Sequence, residues 1–229
     1  MRHIITMLFL VTALLVLGTN DPLARQQDAD GAGGDESPSA DRVLQRLEER
    51  YSGKSFSVDF RQESTLEAMD ITDEAFGRAW FKHPGKMRWE YLEPESHVIV
   101  SDGENLWIYR PEDRQVVVGN AADYFGDGKG ASFLAEVELL KEIFEVSLDD
   151  CTGKRCRLEL VPLEKQEELA AVYLEINRDT MDIKQVESEN IYGDVTRIFF
   201  ENQEFEPETE DGFFKFSIPS GADVLKMGE

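Results

Sequence analysis

The feature that most restricts the fold of this chain is an alternation of apolar and polar residues that starts at Phe56. Phe56, Val58 and Phe60 fall on one side of an extended segment and Ser57, Asp59 and Arg61 on the other, the pattern of a strand with one buried face. The pattern predicts further strands at 76–82, 86–91, 97–100, 105–109 and 115–118, with Pro84-Gly85, Glu93-Pro94, Asp102-Gly103 and Pro111-Glu112 as the turn signals between them. It resumes at 144–148, 157–163, 171–176, 183–189, 195–201 and 213–218, about eleven strands in all. Strands that follow one another through short turns form an antiparallel meander. A sheet this wide does not stay flat, so it curls toward a barrel.

Two helical stretches accompany the strands. Ser39 or Asp41 caps a segment whose apolar positions Val43, Leu44, Leu47 and Tyr51 follow helical spacing, while Arg42, Arg46, Glu48 and Glu49 face away. A second stretch, 131–144, carries Phe133, Leu134, Val137, Leu140, Ile143 and Phe144 on one broad stripe. Placed over the concave side of the sheet, both helices predict an interior. Side chains fill the interior of a small closed barrel, whereas an open barrel under helical lids keeps a cavity for an apolar ligand, and periodicity does not separate the two.

The two ends bound the compartment. Met1, Arg2 and His3 lead into the apolar run Ile4–Gly18, which reads as a secretory signal peptide. The run is shorter than the roughly 20 residues of a membrane-spanning helix, and a polar, acidic stretch follows. Cleavage after Gly18 or after Ala24 fits, and an uncleaved anchor is the competing reading. Residues 25–38 hold no large apolar side chain apart from the leader's end and cannot bury a core, so they form a flexible acidic linker. One domain, residues 39–229, remains. No cysteine stands near the N-terminus to be lipidated.

The formal charge is -23, and loss of residues 1–24 leaves it unchanged because Arg2 and Asp21 cancel. Such a surface repels phosphates and anionic headgroups, which argues against nucleic acid and peripheral membrane binding. The acidity serves solubility or a saline habitat on one reading and the docking of a basic partner on the other. The only cysteines, Cys151 and Cys156, form a disulfide in an exported chain. A zinc site lacks further ligands at suitable spacing, with only His3, His83 and His97 available, and a redox pair has two intervening residues rather than the four found here.

Signals for catalysis are weak. In a chain with 47 Asp and Glu, neighbouring carboxylates carry no information about acid-base chemistry. Neither a His-Glu-x-x-His run nor a nucleophile elbow is present. The Gly126–Ser132 stretch lacks phosphate-loop spacing and reads as a hinge, and Glu204–Asp211 reads as a solvated loop. Trp80, Phe81, Trp89, Tyr91, Trp107 and Tyr109 crowd into three neighbouring strands, as core packing or as a cavity wall.

At this point a resemblance enters. Phe56-x-x-x-Phe60-x-Gln62, Gly77-Arg-Ala-Trp80-Phe-Lys-His-Pro84-Gly-Lys-Met87-Arg-Trp89-Glu-Tyr91, Ser101-Asp102-Gly103-x-x-Leu106-Trp107-x-Tyr109-x-Pro111 and Phe216-x-x-Pro219-x-Gly221 together resemble the periplasmic outer-membrane lipoprotein carrier family, LolA. The resemblance implies an unclosed antiparallel β-barrel of eleven strands, mainly β, with a helical lid over an apolar cavity for lipoprotein acyl chains. It implies a monomeric periplasmic chaperone, not an enzyme and without cofactor or metal. It takes acylated lipoprotein cargo from an inner-membrane ATP-driven releasing transporter to an outer-membrane acceptor.

Family cavity positions match Leu47, Met87, Trp89, Phe133 and Leu134, and periodicity adds Phe56, Phe60 and Val137. Each is also a plain core position. His83 stands where the family usually has a lid-gating Arg, so it is either a weaker gate or a loop histidine. The chain ends soon after Val224, so a C-terminal extension of some members is expected to be absent. Lid burial and cargo burial then compete, with Leu47 and Phe133 serving both states. A carrier or sensor of another lipid on the same fold is the alternative reading, and the acceptor of the same fold is disfavoured by the missing lipidation cysteine.

Overall fold

A computed structural model of the chain describes residues 38–122, 134, 137–165, 167–210 and 212–227; the leader, nearly all of the linker, and Phe133 lie outside them. α1 (Ala40–Tyr51) forms where expected. Ser39 Oγ accepts the Arg42 N–H at 3.3 Å, and the buried residues Val43, Leu44, Leu47 and Tyr51 recur at helical spacing. The cap answers one of the backbone donors that a helix start leaves unpaired.

The strands are β1 (Ser55–Leu66), β2 (Ile71–Lys82), β3 (Lys86–Glu93), β4 (His97–Asp102), β5 (Asn105–Arg110), β6 (Gln115–Asn120), β7 (Phe144–Thr152), β8 (Arg155–Pro162), β9 (Ala171–Asn177), β10 (Ile183–Glu189), β11 (Val195–Phe205) and β12 (Asp223–Lys226). They make one sheet of 12 strands in the order β12-β6-β5-β4-β3-β2-β1-β11-β10-β9-β8-β7. Its two ends, β12 and β7, do not pair with each other, so the barrel is unclosed. All ladders are antiparallel except β12 with β6, which is parallel.

Register decides which side chains face inward. Phe56 opposes Phe81, Val58 opposes Ala79, and Phe60 opposes Gly77 across β1 and β2. Phe81 opposes Met87 and Ala79 opposes Trp89 across β2 and β3. On the other half, Leu148, Leu158, Leu174, Val186 and Ile198 form a continuous row through β7, β8, β9, β10 and β11. These residues, α1, Leu134 and Val137 belong to one hydrophobic core, because residues opposed across a sheet share a face.

Three expectations are corrected. First, the helix predicted over 131–144 is, in its described part, a 3-10 turn (Val137–Leu139) followed by α2 (Leu140–Ile143). Phe144 already opens β7, drawn into the sheet where Leu163 N–H donates to the Ile143 carbonyl at 2.9 Å. Second, 213–218 is not a strand. It is a strap that opens in a turn, where Lys215 N–H donates to the Gly212 carbonyl at 2.8 Å, and its alternating Phe214, Phe216 and Ile218 have no ladder to join. Third, a strand not predicted takes the place of 213–218: the residues after Gly221 return to the sheet as β12, where Asp223 N–H donates to Arg114 O and Met227 N–H to Val118 O.

Candidate functional site

The concave face gathers the candidate site residues. Of the eight predicted cavity residues, the seven described ones lie together in the core, each between 0% and 4% exposed: Leu47, Phe56, Phe60, Met87, Trp89, Leu134 and Val137. Phe133 lies outside the described residues. The rings interlock. Phe56 stacks on Phe81 at 4.6 Å between centroids, and Phe60 meets Trp89 edge-on at 4.9 Å and Tyr91 at 4.8 Å. Such contacts add about 0.5–1.5 kcal/mol per pair beyond area burial.

Phe60 reaches this position because its opposite residue is glycine. A Cβ at Gly77 would stand 2.7 Å from the Phe60 ring and 2.1 Å from the Glu90 carbonyl oxygen. The interior is therefore occupied by the chain's own side chains, with α1 laid over the face that a ligand would use. A cleft of about 330 Å³ follows the seam between α1 and β7, lined by Ala40, Leu44, Phe144, Val146 and Leu163, with Asp41 and Lys141 at its lip.

α1 is held unequally at its two ends. At its C-terminal end Tyr51 Oη accepts the Ile183 N–H at 2.9 Å and its hydroxyl donates to Gln203 Oε1 at 3.0 Å. Arg50 pairs with Asp182 at 2.9 Å and lies 4.0 Å over the Phe205 ring, and Arg46 donates to the Asp179 carbonyl at 3.4 Å. Burial pushes the Tyr51 hydroxyl up to about 12, against the smaller downward pull of its hydrogen bonds. At the N-terminal end an exposed pair, Lys141 to Asp41 at 2.9 Å, joins α1 to α2. An exposed pair of this kind contributes little to stability.

The crowd of aromatics divides by alternation between two faces. Phe81, Trp89 and Tyr91 point inward. Trp80, Trp107 and Tyr109 point outward, under the strap: Trp80 meets Phe213 at 5.2 Å, and Phe216 packs against Tyr109 at 5.6 Å. Arg88 Nη1 also donates to the Phe213 carbonyl at 3.3 Å. Tyr51, Phe81, Tyr91 and Phe200 complete the inward ring cluster and were not among the predicted cavity residues. The signal for Phe81 and Phe200 was register, opposite Phe56 and Met87 and opposite Phe60, whereas Tyr91 shares the parity of Met87 and Trp89 along β3 and Tyr51 lies on the apolar stripe of α1.

The remaining predicted residues lie apart from this cluster. His83 is half-buried in the turn between β2 and β3; beside that turn, buried Ser101 donates to the Gly85 carbonyl at 2.9 Å. Cys151 and Cys156 form a disulfide across β7 and β8, where they are register partners. Among the described residues no helix is long and apolar enough to cross a membrane, and no group of three or more His, Cys, Asp or Glu is placed to hold a metal.

An unclosed sheet with a largely apolar concave face, filled by its own side chains under an amphipathic helix, defines the class as an open half-barrel rather than a closed barrel. The chain belongs to the outer membrane lipoprotein carrier protein LolA family, whose model matches residues 52–217. It is 34% identical over 169 residues to the outer-membrane lipoprotein carrier protein of Alkalilimnicola ehrlichii, covering 74% of this chain and 76% of that one. To the protein of the same name from Chromobacterium violaceum it is 28% identical over 195 residues, covering 85% of this chain and 92% of that one. An uncharacterized conserved protein from Thermus thermophilus shares the fold, with a TM-score of 0.55 at 15% identity over 82% of this chain and 99% of that one.

Proposed function

We propose that this protein is a periplasmic carrier that shields the acyl chains of lipoproteins on the concave face of the half-barrel. Family membership supports the carrier role. The observation that carries the location of the site is the apolar face covered by α1, with Leu47, Phe56, Phe60, Met87, Trp89, Leu134 and Val137 gathered beneath and on it.

Magnitudes explain why such a site binds reversibly. Transferring an acyl chain from a bilayer to water costs about 0.8 kcal/mol per CH₂, roughly 10 kcal/mol or more for one chain. Val43, Leu44 and Leu47 of α1 each recover about 1.5–3 kcal/mol by burial. Cargo must displace burial of the same order as its own, so the loaded and empty states lie close in free energy. Leu47 then serves both states, covering the empty face and touching cargo when α1 lifts, and Phe133 is assigned the same double role.

In this reading residues 1–24 are a cleaved leader and 25–38 a flexible acidic linker. His83 takes the place of the lid-gating Arg, and the cargo passes from an inner-membrane ATP-driven transporter to an outer-membrane acceptor. Native mass spectrometry of the mature chain purified from its own periplasm tests the cargo. A bound triacylated lipoprotein is expected. A bound free phospholipid or glycolipid in its place would overturn the reading in favour of a carrier of another lipid.

A further inference from the structure

The concave face changes character along its strands. On β1 the side that carries Phe56, Val58 and Phe60 continues as Gln62 and Ser64, and on β2 the side of Ala79 and Gly77 continues as Ala75 and Asp73, the register partner of Ser64. On β4 His97 opposes Tyr91, and on β5 Arg110 stands two residues beyond Ile108, the partner of Ile99. Parity turns these polar residues to the same face as the aromatic cluster. Tyr91 marks the junction. Its ring meets Phe60 at 4.8 Å and stacks on His97 at 4.0 Å, and its hydroxyl donates to Gln62 Oε1 at 2.9 Å.

Beyond Tyr91 the face opens into a cleft of about 540 Å³, with Gln62, Ser64, Asp73, His97 and Arg110 on its walls. Among the described residues none of α1 lines it, so the helix that covers the apolar part stops short of this end. The lining can both donate and accept hydrogen bonds: Gln62 Nε2 already donates to Ser64 Oγ at 3.1 Å, and Arg110 is a donor alone. Its charge is one-sided. Asp73, Glu74, Glu95, Glu112 and Asp113 face the single guanidinium of Arg110.

An amphiphile whose acyl chains lie against Phe60 and Trp89 has to put its polar end in this cleft. The polar end of a phospholipid is a phosphate, which the carboxylates repel. The polar end of an acylated protein is peptide, whose N–H and carbonyl groups the cleft can answer and whose basic side chains the carboxylates attract. The geometry points to the polar end of the concave face as a subsite for the peptide that follows the acylated residue of the cargo, favouring lysine- or arginine-bearing segments and excluding phosphate-bearing lipids. This rests on the carrier reading. Asp73, Glu95 and Asp113 then set specificity, while the apolar part accepts acyl chains whatever they are attached to. Such specificity is a difference of two affinities, and repulsion of the wrong ligand supplies part of it.

The test uses the mature full-length chain loaded with an uncharged fluorescent acyl probe. The probe is displaced by a synthetic triacylated lipopeptide with an oligolysine tail, by its oligoglutamate counterpart and by phosphatidylglycerol. Two variants are compared with wild type: Asp73→Asn/Glu95→Gln/Asp113→Asn in the cleft, and Glu142→Gln/Glu164→Gln/Glu208→Gln, which removes the same charge from exposed positions outside it. We expect wild type to bind the oligolysine lipopeptide at least about tenfold more tightly than either competitor, the cleft variant to lose at least about fivefold of that preference, and the outside variant to keep it within about twofold. Uptake of the probe itself should be equal in all three. Equal binding of the three ligands by wild type, an unchanged preference in the cleft variant, or an equal loss in the outside variant would overturn the subsite. Failure of wild type to take up any acyl compound overturns the carrier reading and the subsite with it, whereas uptake without preference overturns the subsite alone.

Discussion

The hydroxyl oxygen of Tyr51, the last residue of α1, accepts the backbone N–H of Ile183, the first residue of β10, at 2.9 Å. The bond is buried and fastens the lid helix to the sheet at one end, while the other end rests on the exposed Asp41–Lys141 pair. Between these two ends Val43, Leu44 and Leu47 bury the apolar stripe of α1 in the core.

Tyr51→Phe removes that acceptor and strands the Ile183 N–H. We expect a loss of about 1–3 kcal/mol. The hydroxyl also marks pH: its folded value of about 12 lies above the unfolded value near 10. The unfolded chain thus gives up the proton first, and the stabilisation present below pH ~10 is lost as pH rises toward ~12. Urea unfolding of wild type across that window should show a steeper decline than the Phe variant.

Gly77→Ala places a methyl group on the Glu90 carbonyl and the Phe60 ring. Strand and ring must both shift, at a cost of about 1–3 kcal/mol or more. Thermal melts should show it, and tryptophan fluorescence should report movement of Trp89, which Phe60 touches.

His97 stacks on Tyr91 at 4.0 Å, and its burial lowers its pKa. The folded state favours the neutral ring. The unfolded chain therefore takes up the proton first, and this contribution is present above pH ~6.5 and lost as pH falls through the lowered folded value. The stability of wild type relative to His97→Phe should fall between neutral pH and pH ~5, measured by urea unfolding at each pH.

Replacing both Cys151 and Cys156 by serine opens a loop of sequence separation 5. Chain entropy alone predicts a loss of about 2 kcal/mol. Wild type under reducing conditions should match the double variant in denaturant midpoint.

The strand meander and α1 were legible because each has a periodic apolar face: Phe56, Val58 and Phe60 at period two, Val43, Leu44, Leu47 and Tyr51 at helical spacing. The far half of the first hairpin was not. Residues 61–65 are half-buried on both faces and 71–74 are exposed on both, so no alternation marks the ladder. The strap failed for the opposite reason. Phe214, Phe216 and Ile218 alternate like a strand, and alternation alone does not show that the segment opens in a turn and has no ladder partner. The inward and outward division of Trp80, Phe81, Trp107 and Tyr109 follows from parity once register is known. For the concave face itself, the family resemblance supplied Leu47, Met87, Trp89 and Leu134 and periodicity added Phe56, Phe60 and Val137, while packing shows how closely α1 and these side chains fill it.

An unclosed sheet has two free margins, where a closed barrel has none. β12 is only four residues long, and β7 carries Glu145, Asp149 and Asp150 along its outer margin. Short or charged margins resist pairing with another chain. On a molecule of formal charge -23, two copies approaching margin to margin repel each other before their unpaired backbone groups can meet. The acidity thus opposes pairing at the two margins that an open barrel leaves free.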